Sequence, residues 1–442
     1  MKNEAQAPTV DIRGTMKVTE ELRKWVGVLF LSPRAVVRFV GAFAFVCVVG
    51  IYGLRCTPDP PIRSDGGGYY AYLPASVIDR DLSMRGILAR GADISHGINP
   101  YAATGGYLDK YPVGEALMMA PFFFAAHGAS IVVGGRVDGY GFFYQAFAAL
   151  AGMVYGWLGV LVLRQVLEQR FDARTTAWTL LGLVFGTNLF HYFTWESLYS
   201  HAYSFFLIAL LLQMVPRWRA DPTLTRSFSL GAIAGLIVLV RPTNACTLLY
   251  LPLYEPGTIG SWLRRLPRMA LVAGVAVAVF AIQLGYWHHA TGHWLAFSYQ
   301  GERFTPLSAK PLHVLVSFKK GLFVWAPILV ASVVGLWEAR RDTLRRDFAA
   351  VVAVLLAQLA IVSSWWCWWY GVSLGHRAFT EFVPFFALGL AAFLQRRFDA
   401  SPAVAQRCRR LYGWLTGYGV LMMVLYWTGV LPFDGPNWGP LL

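Results

Sequence analysis

Long apolar runs separated by short basic loops leave this chain few ways to fold. Ala35–Leu54 carries one charge, Arg38, and comparable runs recur almost to the end of the sequence. Inside a bilayer a backbone must satisfy its own N–H and C=O groups, so only helices and closed barrels cross. Barrel strands alternate apolar and polar residues over segments of about ten, whereas these runs are continuous. The sequence is therefore read as all-α, a polytopic transmembrane helical bundle. Only 14% of the 442 residues are charged, fewer than a soluble surface needs.

The expected spans are Ala35–Leu54, Gly139–Leu163, Thr176–Thr194, His201–Val215, Ser227–Val240, Asn244–Tyr254, Arg268–Trp287, Leu322–Trp337, Phe348–Ser363, Thr380–Leu394 and Leu411–Val430. Basic residues concentrate in Arg164–Arg174, Arg217–Arg226, Arg264–Arg268, Arg340–Arg346 and Arg396–Arg410. Cytoplasmic loops are enriched in Lys and Arg, so all five belong inside. Val113–Val133 is long enough to cross, but a crossing there would turn every one of these loops outward. It is read instead as a re-entrant or juxtamembrane segment, broken around Pro121 and Gly128. The result is about eleven spans, with the N-terminus inside and the C-terminus outside. The loop charges account for the formal +14 without a nucleic-acid partner.

Residues 1–33 form an expected cytoplasmic amphipathic N-terminus with no cleavable signal pattern. Within it Val18–Leu31 can lie flat on the membrane, with Trp25, Leu29 and Phe30 toward lipid. Residues 34–442 form one transmembrane domain of a multi-pass cytoplasmic (inner) membrane protein. Residues 55–135 form its long outer loop and juxtamembrane segment. The cysteines show no CxxC or zinc spacing. Cys56 and Cys367 are the pair that could meet on the outer side.

That outer loop opens with Ser64-Asp65-Gly66-Gly67-Gly68-Tyr69-Tyr70-Ala71-Tyr72-Leu73-Pro74. Glycines permit positive φ and close approach of a ligand, and tyrosines offer flat faces with polar tips. Asp65 is a lone carboxylate at the water–lipid boundary, where desolvation raises basicity. A turn-forming aspartate before glycines is the competing reading. The same side collects Lys110, Trp195–His201 with Glu196 and His201, Arg241–Asn244, His288–Lys320 and Trp365–Glu381. Arg241 lies between two apolar runs, where a charge is costly unless it is paired or functional. Asp79 and Asp81 read either as second carboxylates or as a solvated helix end. No three ligands stand at metal spacing, so no metal residues are assigned, although a divalent ion at Glu196 and His201 fits the chemistry.

This layout resembles the C-type (GT-C) superfamily of membrane glycosyltransferases, which use polyprenyl-phosphate-linked sugars at the outer face. Three features carry the resemblance. The first is the acidic Asp65 early in the first outer loop. The second is Lys110-Tyr111-Pro112-Val113-Gly114, similar to the Lys-Pro-Pro element of aminoarabinose and protein-mannose transferases. The third is Trp368-Trp369-Tyr370-Gly371-Val372-Ser373-Leu374-Gly375-His376-Arg377, which looks like their W-x-G-G-x-x-x-G-x-R stretch. Arg241-Pro242-Thr243-Asn244 is also familiar from them, and the Ser64–Pro74 string looks like one bacterial branch. The family's adjacent acidic pair is absent, since Gly66 follows Asp65.

The resemblance implies inverting transfer of a sugar from a polyprenyl phosphate to a lipid or cell-envelope glycan. It implies Asp65 as general base, and Lys110, Arg241, Arg377 and His376 at the phosphate. Tyr69, Tyr70, Glu196, His201 and Trp369 are expected at sugar or acceptor. An O-antigen ligase- or polymerase-like enzyme would share the outer site. A lipid or solute transporter is the alternative from another class. It needs polar residues reaching both faces, and here the inner halves of the spans are apolar.

Overall fold

The computed structural model describes residues 27–53, 60–91, 94–255 and 257–432. Most of the expected flat helix Val18–Leu31, Trp25 included, lies outside them, as does Cys56. The described cysteines, Cys367 among them, are free thiols.

The chain is helical almost throughout. The longer helices are α1 (Pro33–Val48), α2 (Ser64–Pro74), α3 (Gly114–Val133), α4 (Phe142–Glu168), α5 (Ala173–Gly186), α6 (His201–Ala220), α7 (Leu224–Val240), α8 (Ile259–Thr291), α9 (Ile328–Glu338), α10 (Phe348–Ser364), α11 (Val383–Phe398) and α12 (Pro402–Trp427). Among the described residues five helices are long and apolar enough to cross a membrane: Pro33–Gly53, Gly114–Val133, Phe142–Glu168, Ile259–Thr291 and Arg377–Phe398. Leu224–Val240, Ile328–Glu338 and Phe348–Ser364 are shorter apolar helices.

The five basic loops meet at one end of the bundle. Arg170 pairs with Asp347 at 3.1 Å, Arg346 with Glu255 at 3.1 Å, and Arg397 with Glu338. Gln395 donates to Asp172 at 2.8 Å, and Arg265 donates to the Arg219 carbonyl at 3.3 Å. Side-chain caps concentrate here too. Ser32, Asp172, Thr223, Thr258 and Ser401 each accept a backbone N–H at the start of α1, α5, α7, α8 and α12. Such a cap satisfies one of the free N–H groups at a helix start. Asp347, before α10, makes no cap because its carboxylate is taken by Arg170 and Tyr250.

α3 is a continuous helix with Pro121 inside it, not the broken segment expected. A proline costs one intrahelical bond and bends a helix without necessarily ending it. The Met118 carbonyl accepts from the Tyr155 hydroxyl, and His127 bonds Tyr144. α3 therefore runs antiparallel to the first half of α4 only. Its first residue, Gly114, abuts the Leu239–Val240 backbone at the end of α7, where a Cβ would come within 2.4 Å. α1 leaves the basic end and α4 returns to it.

Several expected spans are interrupted. Leu322–Trp337 is two helices, Leu322–Trp325 and α9, separated at Ala326-Pro327 because proline has no N–H to continue the ladder. Asn244–Tyr254 is mainly a 3₁₀ turn, Pro242–Leu249. Thr176–Thr194 ends early at Gly186, followed by the short helix Leu189–Tyr192. A 3₁₀ turn, Arg377–Phe382, precedes α11. The 55–135 segment also contains an unexpected antiparallel hairpin, β1 (Ile98–Tyr101) with β2 (Gly106–Asp109).

His289 near the end of α8 and Arg341 in a basic loop are both exposed, at opposite ends of the chain's layout. In a background without reactive cysteines, Cys at position 289 should react with an impermeant maleimide from outside intact cells. Cys at 341 should react only after permeabilisation. The reverse pattern would overturn the expected orientation.

Candidate functional site

The Ser64–Pro74 segment is a helix, not the glycine-rich loop expected. Its glycines do not supply positive φ; Ser64, at φ 48°, makes the left-handed entry. The glycines instead let other chain segments come close. A Cβ on Gly66 would lie 2.7 Å from the Leu198 Cβ. One on Gly68 would lie 2.3 Å from the Tyr111 ring and 2.6 Å from the His96 carbonyl oxygen. Tyr70 and Tyr72 fix the helix by donating at 2.6 Å to the carbonyls of Gly139 and Tyr111.

The first turn of α2 presents Asp65 to a group of polar partners. Arg377 donates to its Oδ2 at 3.0 Å, and the Tyr111 hydroxyl donates to its Oδ1 at 2.7 Å. His96 Nδ1 lies 3.5 Å from that Oδ1 and 3.1 Å from the Tyr111 hydroxyl. Burial alone would raise the Asp65 carboxyl. The Arg377 guanidinium, helped by Tyr111, His96 and Lys110, overrides it and lowers the pKa from 3.8 to about 2. The stability from this pairing is therefore full above the ordinary carboxylate range and is lost as pH falls through about 2. Asp65 is thus anionic throughout the physiological range, contrary to the raised basicity expected from its boundary position.

Four residues after Arg377, on the same 3₁₀ turn, Glu381 is fully buried. Its Oε2 lies 2.7 Å from His201 Nδ1 and its Oε1 3.4 Å from the Arg241 guanidinium. Arg241 also faces the Tyr370 ring, 5.7 Å from the centroid. Lys110 completes the set. It pairs with Glu302 at 3.1 Å and lies over the rings of Tyr111 and Tyr299, at 5.2 and 5.3 Å. The Trp366 indole holds the other Glu302 oxygen at 3.2 Å.

All of these groups except the buried Glu381 line one cavity of about 450 Å³. Asp65, Tyr69, Lys110, His201, Arg241 and Arg377, all expected at a site, reach it. So do Trp287, Phe297, Phe304, Trp365 and Tyr370, which make much of its wall aromatic.

Four expected site residues are elsewhere. His376 is buried on the other side of the turn from Arg377, in a small void beside Trp325 and Phe379. Trp369 is covered by Lys319, 4.1 Å from its ring centroid, and the neighbouring Trp365 and Trp366 line the cavity in its place. Tyr70 is buried against Gly139. Glu196 pairs with Arg63 at 3.3 Å, and burial raises its carboxyl pKa even against that cation. Asp79 is taken by Arg90 in a largely buried ion pair, and Asp81, exposed, is bonded by Ser83, which leaves the solvated helix-end reading for Asp81 alone.

Sequence reasoning missed His96 and the role of Tyr111. The Gly97-Ile98 start of a hairpin beside His96, and the turn at Thr104-Gly105-Gly106, were the available signals. Among the described residues no three His, Cys, Asp or Glu side chains cluster as metal ligands.

No family model and no curated protein matches the chain by sequence. Solved structures do match by shape. The Archaeoglobus fulgidus oligosaccharyltransferase in its apo form has a TM-score of 0.54 at 12% identity, over 92% of this chain and 57% of that one. The archaeal oligosaccharyltransferase AglB from Archaeoglobus fulgidus, in complex with an inhibitory peptide and a dolichol-phosphate, gives 0.53 at 13% identity, over 91% and 56%. The chain thus spans little more than half the length of these proteins and shares their fold.

The close approach at Gly68 leads to a stability prediction. Gly68→Val forces apart α2, Tyr111 and the His96 backbone, and should cost at least about 1–3 kcal/mol. Gly128 in α3 has open space around it, so Gly128→Ala should leave the unfolding temperature in detergent unchanged or raised. Equal thermal stability of Gly68→Val and wild type would refute this packing.

Proposed function

We propose that this protein is a membrane glycosyltransferase. It moves a sugar from a polyprenyl-phosphate donor to a cell-envelope glycan or lipid acceptor at the outer face of the cytoplasmic membrane. The observation that carries the proposal is the convergence of Lys110, Arg241, Arg377 and Asp65 on one aromatic-walled cavity. These residues come from four separate parts of the sequence, and the fold that joins them resembles oligosaccharyltransferases.

The chemistry follows from the two halves of the cavity. The leaving phosphate gains negative charge as the anomeric C–O bond breaks, and positioned cations stabilise it. Arg241 and Lys110 have that role. Each is held in place by an internal carboxylate, Glu381 or Glu302, so little reorganisation is needed when the phosphate arrives. Arg377 holds Asp65 and borders both halves. The acceptor hydroxyl is received at the Asp65–Tyr111–His96 group, which provides the destination for its proton. The aromatic wall supplies faces for the sugar and excludes water. Inversion at the anomeric carbon is what the GT-C resemblance implies.

Binding of a polyprenyl phosphate, measured on the purified protein in lipid nanodiscs, tests this reading. Hydrogen bonds to a charged group contribute about 1.5–3 kcal/mol, so Arg241→Gln and Lys110→Gln should each weaken binding by roughly 10- to 100-fold. Arg241→Lys should recover part of the loss, because it restores the charge without the planar fork. Unchanged affinity in both Gln variants would remove these cations from the site.

A further inference from the structure

His96 stands apart from the other polar groups of the cavity. Its side chain is 48% exposed, against 19% for Asp65 and 17% for Arg377. Yet its position is fixed. Gly97, which follows it at φ +86°, has no room for a Cβ, because the Tyr111 ring would lie 2.4 Å away. Gly68 of α2 presses on the His96 carbonyl from the other side. The imidazole stacks on the Tyr111 ring at 29°, with centroids 6.2 Å apart.

The hydrogen-bond order fixes which nitrogen is available. The single proton of the Tyr111 hydroxyl is donated to Asp65 Oδ1. The contact between that hydroxyl oxygen and His96 Nδ1, at 3.1 Å, therefore needs the proton on Nδ1. The imidazole Nε2 then carries the lone pair. An aspartate behind one ring nitrogen that readies the other as a base is the arrangement of hydrolytic triads.

We propose that His96, through Nε2, takes the proton of the acceptor hydroxyl, and that Asp65 is its positioning residue. The inference rests on the glycosyl-transfer reading. The acceptor oxygen forms a bond to the anomeric carbon, and the bond from that carbon to the phosphate oxygen breaks. The phosphate leaves with the electron pair, and the proton passes to Nε2. His96, half exposed, returns it to water. Asp65 suits the supporting role better than the base role, because Arg377 and Tyr111 already hold its charge. The charged and titratable groups that bear on the pair are Asp65 of α2, Lys110 and Tyr111 before α3, and Arg377 of the 3₁₀ turn. Glu302 faces Lys110 from the 288–320 segment.

The test uses the full-length protein in nanodiscs with a panel of radiolabelled polyprenyl-phosphate hexoses and pentoses. Water stands in for the acceptor, and sugar release is measured. Binding of polyprenyl phosphate is measured in parallel. His96→Gln should bind polyprenyl phosphate as wild type does, which shows that it is folded. Its kcat should fall by roughly 10²- to 10⁴-fold with KM little changed. Tyr111→Phe should show a smaller loss of kcat. Wild-type turnover in His96→Gln would overturn the role of His96 and leave the glycosyltransferase reading standing. A wild-type protein that binds no polyprenyl phosphate, or releases sugar from none of the panel, would instead end that reading and this inference with it.

Discussion

A single 3₁₀ turn, Arg377–Phe382, holds the site together through two oppositely charged residues four positions apart. Arg377 reaches Asp65 of α2, while Glu381 reaches His201 at the start of α6 and Arg241 at the end of α7. Charges this deep are costly unless paired, and removing one partner of a buried pair typically costs about 3–5 kcal/mol. The pairs therefore fix the relative positions of four segments far apart in sequence. They also hold the cavity's cations in place before any ligand arrives, which is the condition for electrostatic stabilisation of a developing charge.

The two ends of the bundle are built differently, and the difference positions the site. At the basic end, five helices begin on Ser, Thr or Asp caps and the loops are cross-linked by ion pairs. At the cavity end, α3, α4, α6, α9 and α11 begin without a side-chain cap. Here the chain departs from regular helix in the turns around Pro242–Leu249 and Arg377–Phe382 and in the break at Ala326-Pro327. Irregular backbone at membrane depth is tolerated only where it is buried in protein or lines a water-filled cavity. Arg241 and Arg377 each stand at such a departure, so both face the cavity and neither faces the lipid.

Much of this arrangement was legible in the sequence. The helical class followed from the continuous apolar runs. The gathering of the basic loops followed from charge alone, and the structure brings those loops into mutual contact. Arg241 and Arg377 could be found because a charge beside an apolar run has few bland explanations, and Asp65 because it precedes an unusual string. What was not legible was orientation at the scale of one residue. His376 and Arg377 are neighbours, yet they point to opposite sides of a turn. Trp365 packs on Tyr299 and Phe304 at the cavity, whereas Trp369, four residues on, is covered by Lys319. Whether three glycines mean a flexible loop or a tightly crossed helix depends on Tyr111 and Leu198, distant in sequence. The partners of the cations, Glu302 and Glu381, were visible as charges, but their pairing was set by tertiary contact. His96 lay in a polar stretch with no periodicity to mark it.

The account turns on where a lipid-linked phosphate sits. The most direct measurement is an experimental structure of the protein in lipid with a polyprenyl phosphate bound. The account predicts the phosphate between Lys110 and Arg241, the isoprenoid chain leaving toward lipid, and Asp65 still on Arg377 with His96 open to the remaining space. A phosphate bound at the opposite end, among Arg170 and Arg346, with the aromatic cavity occupied only by water, would contradict it.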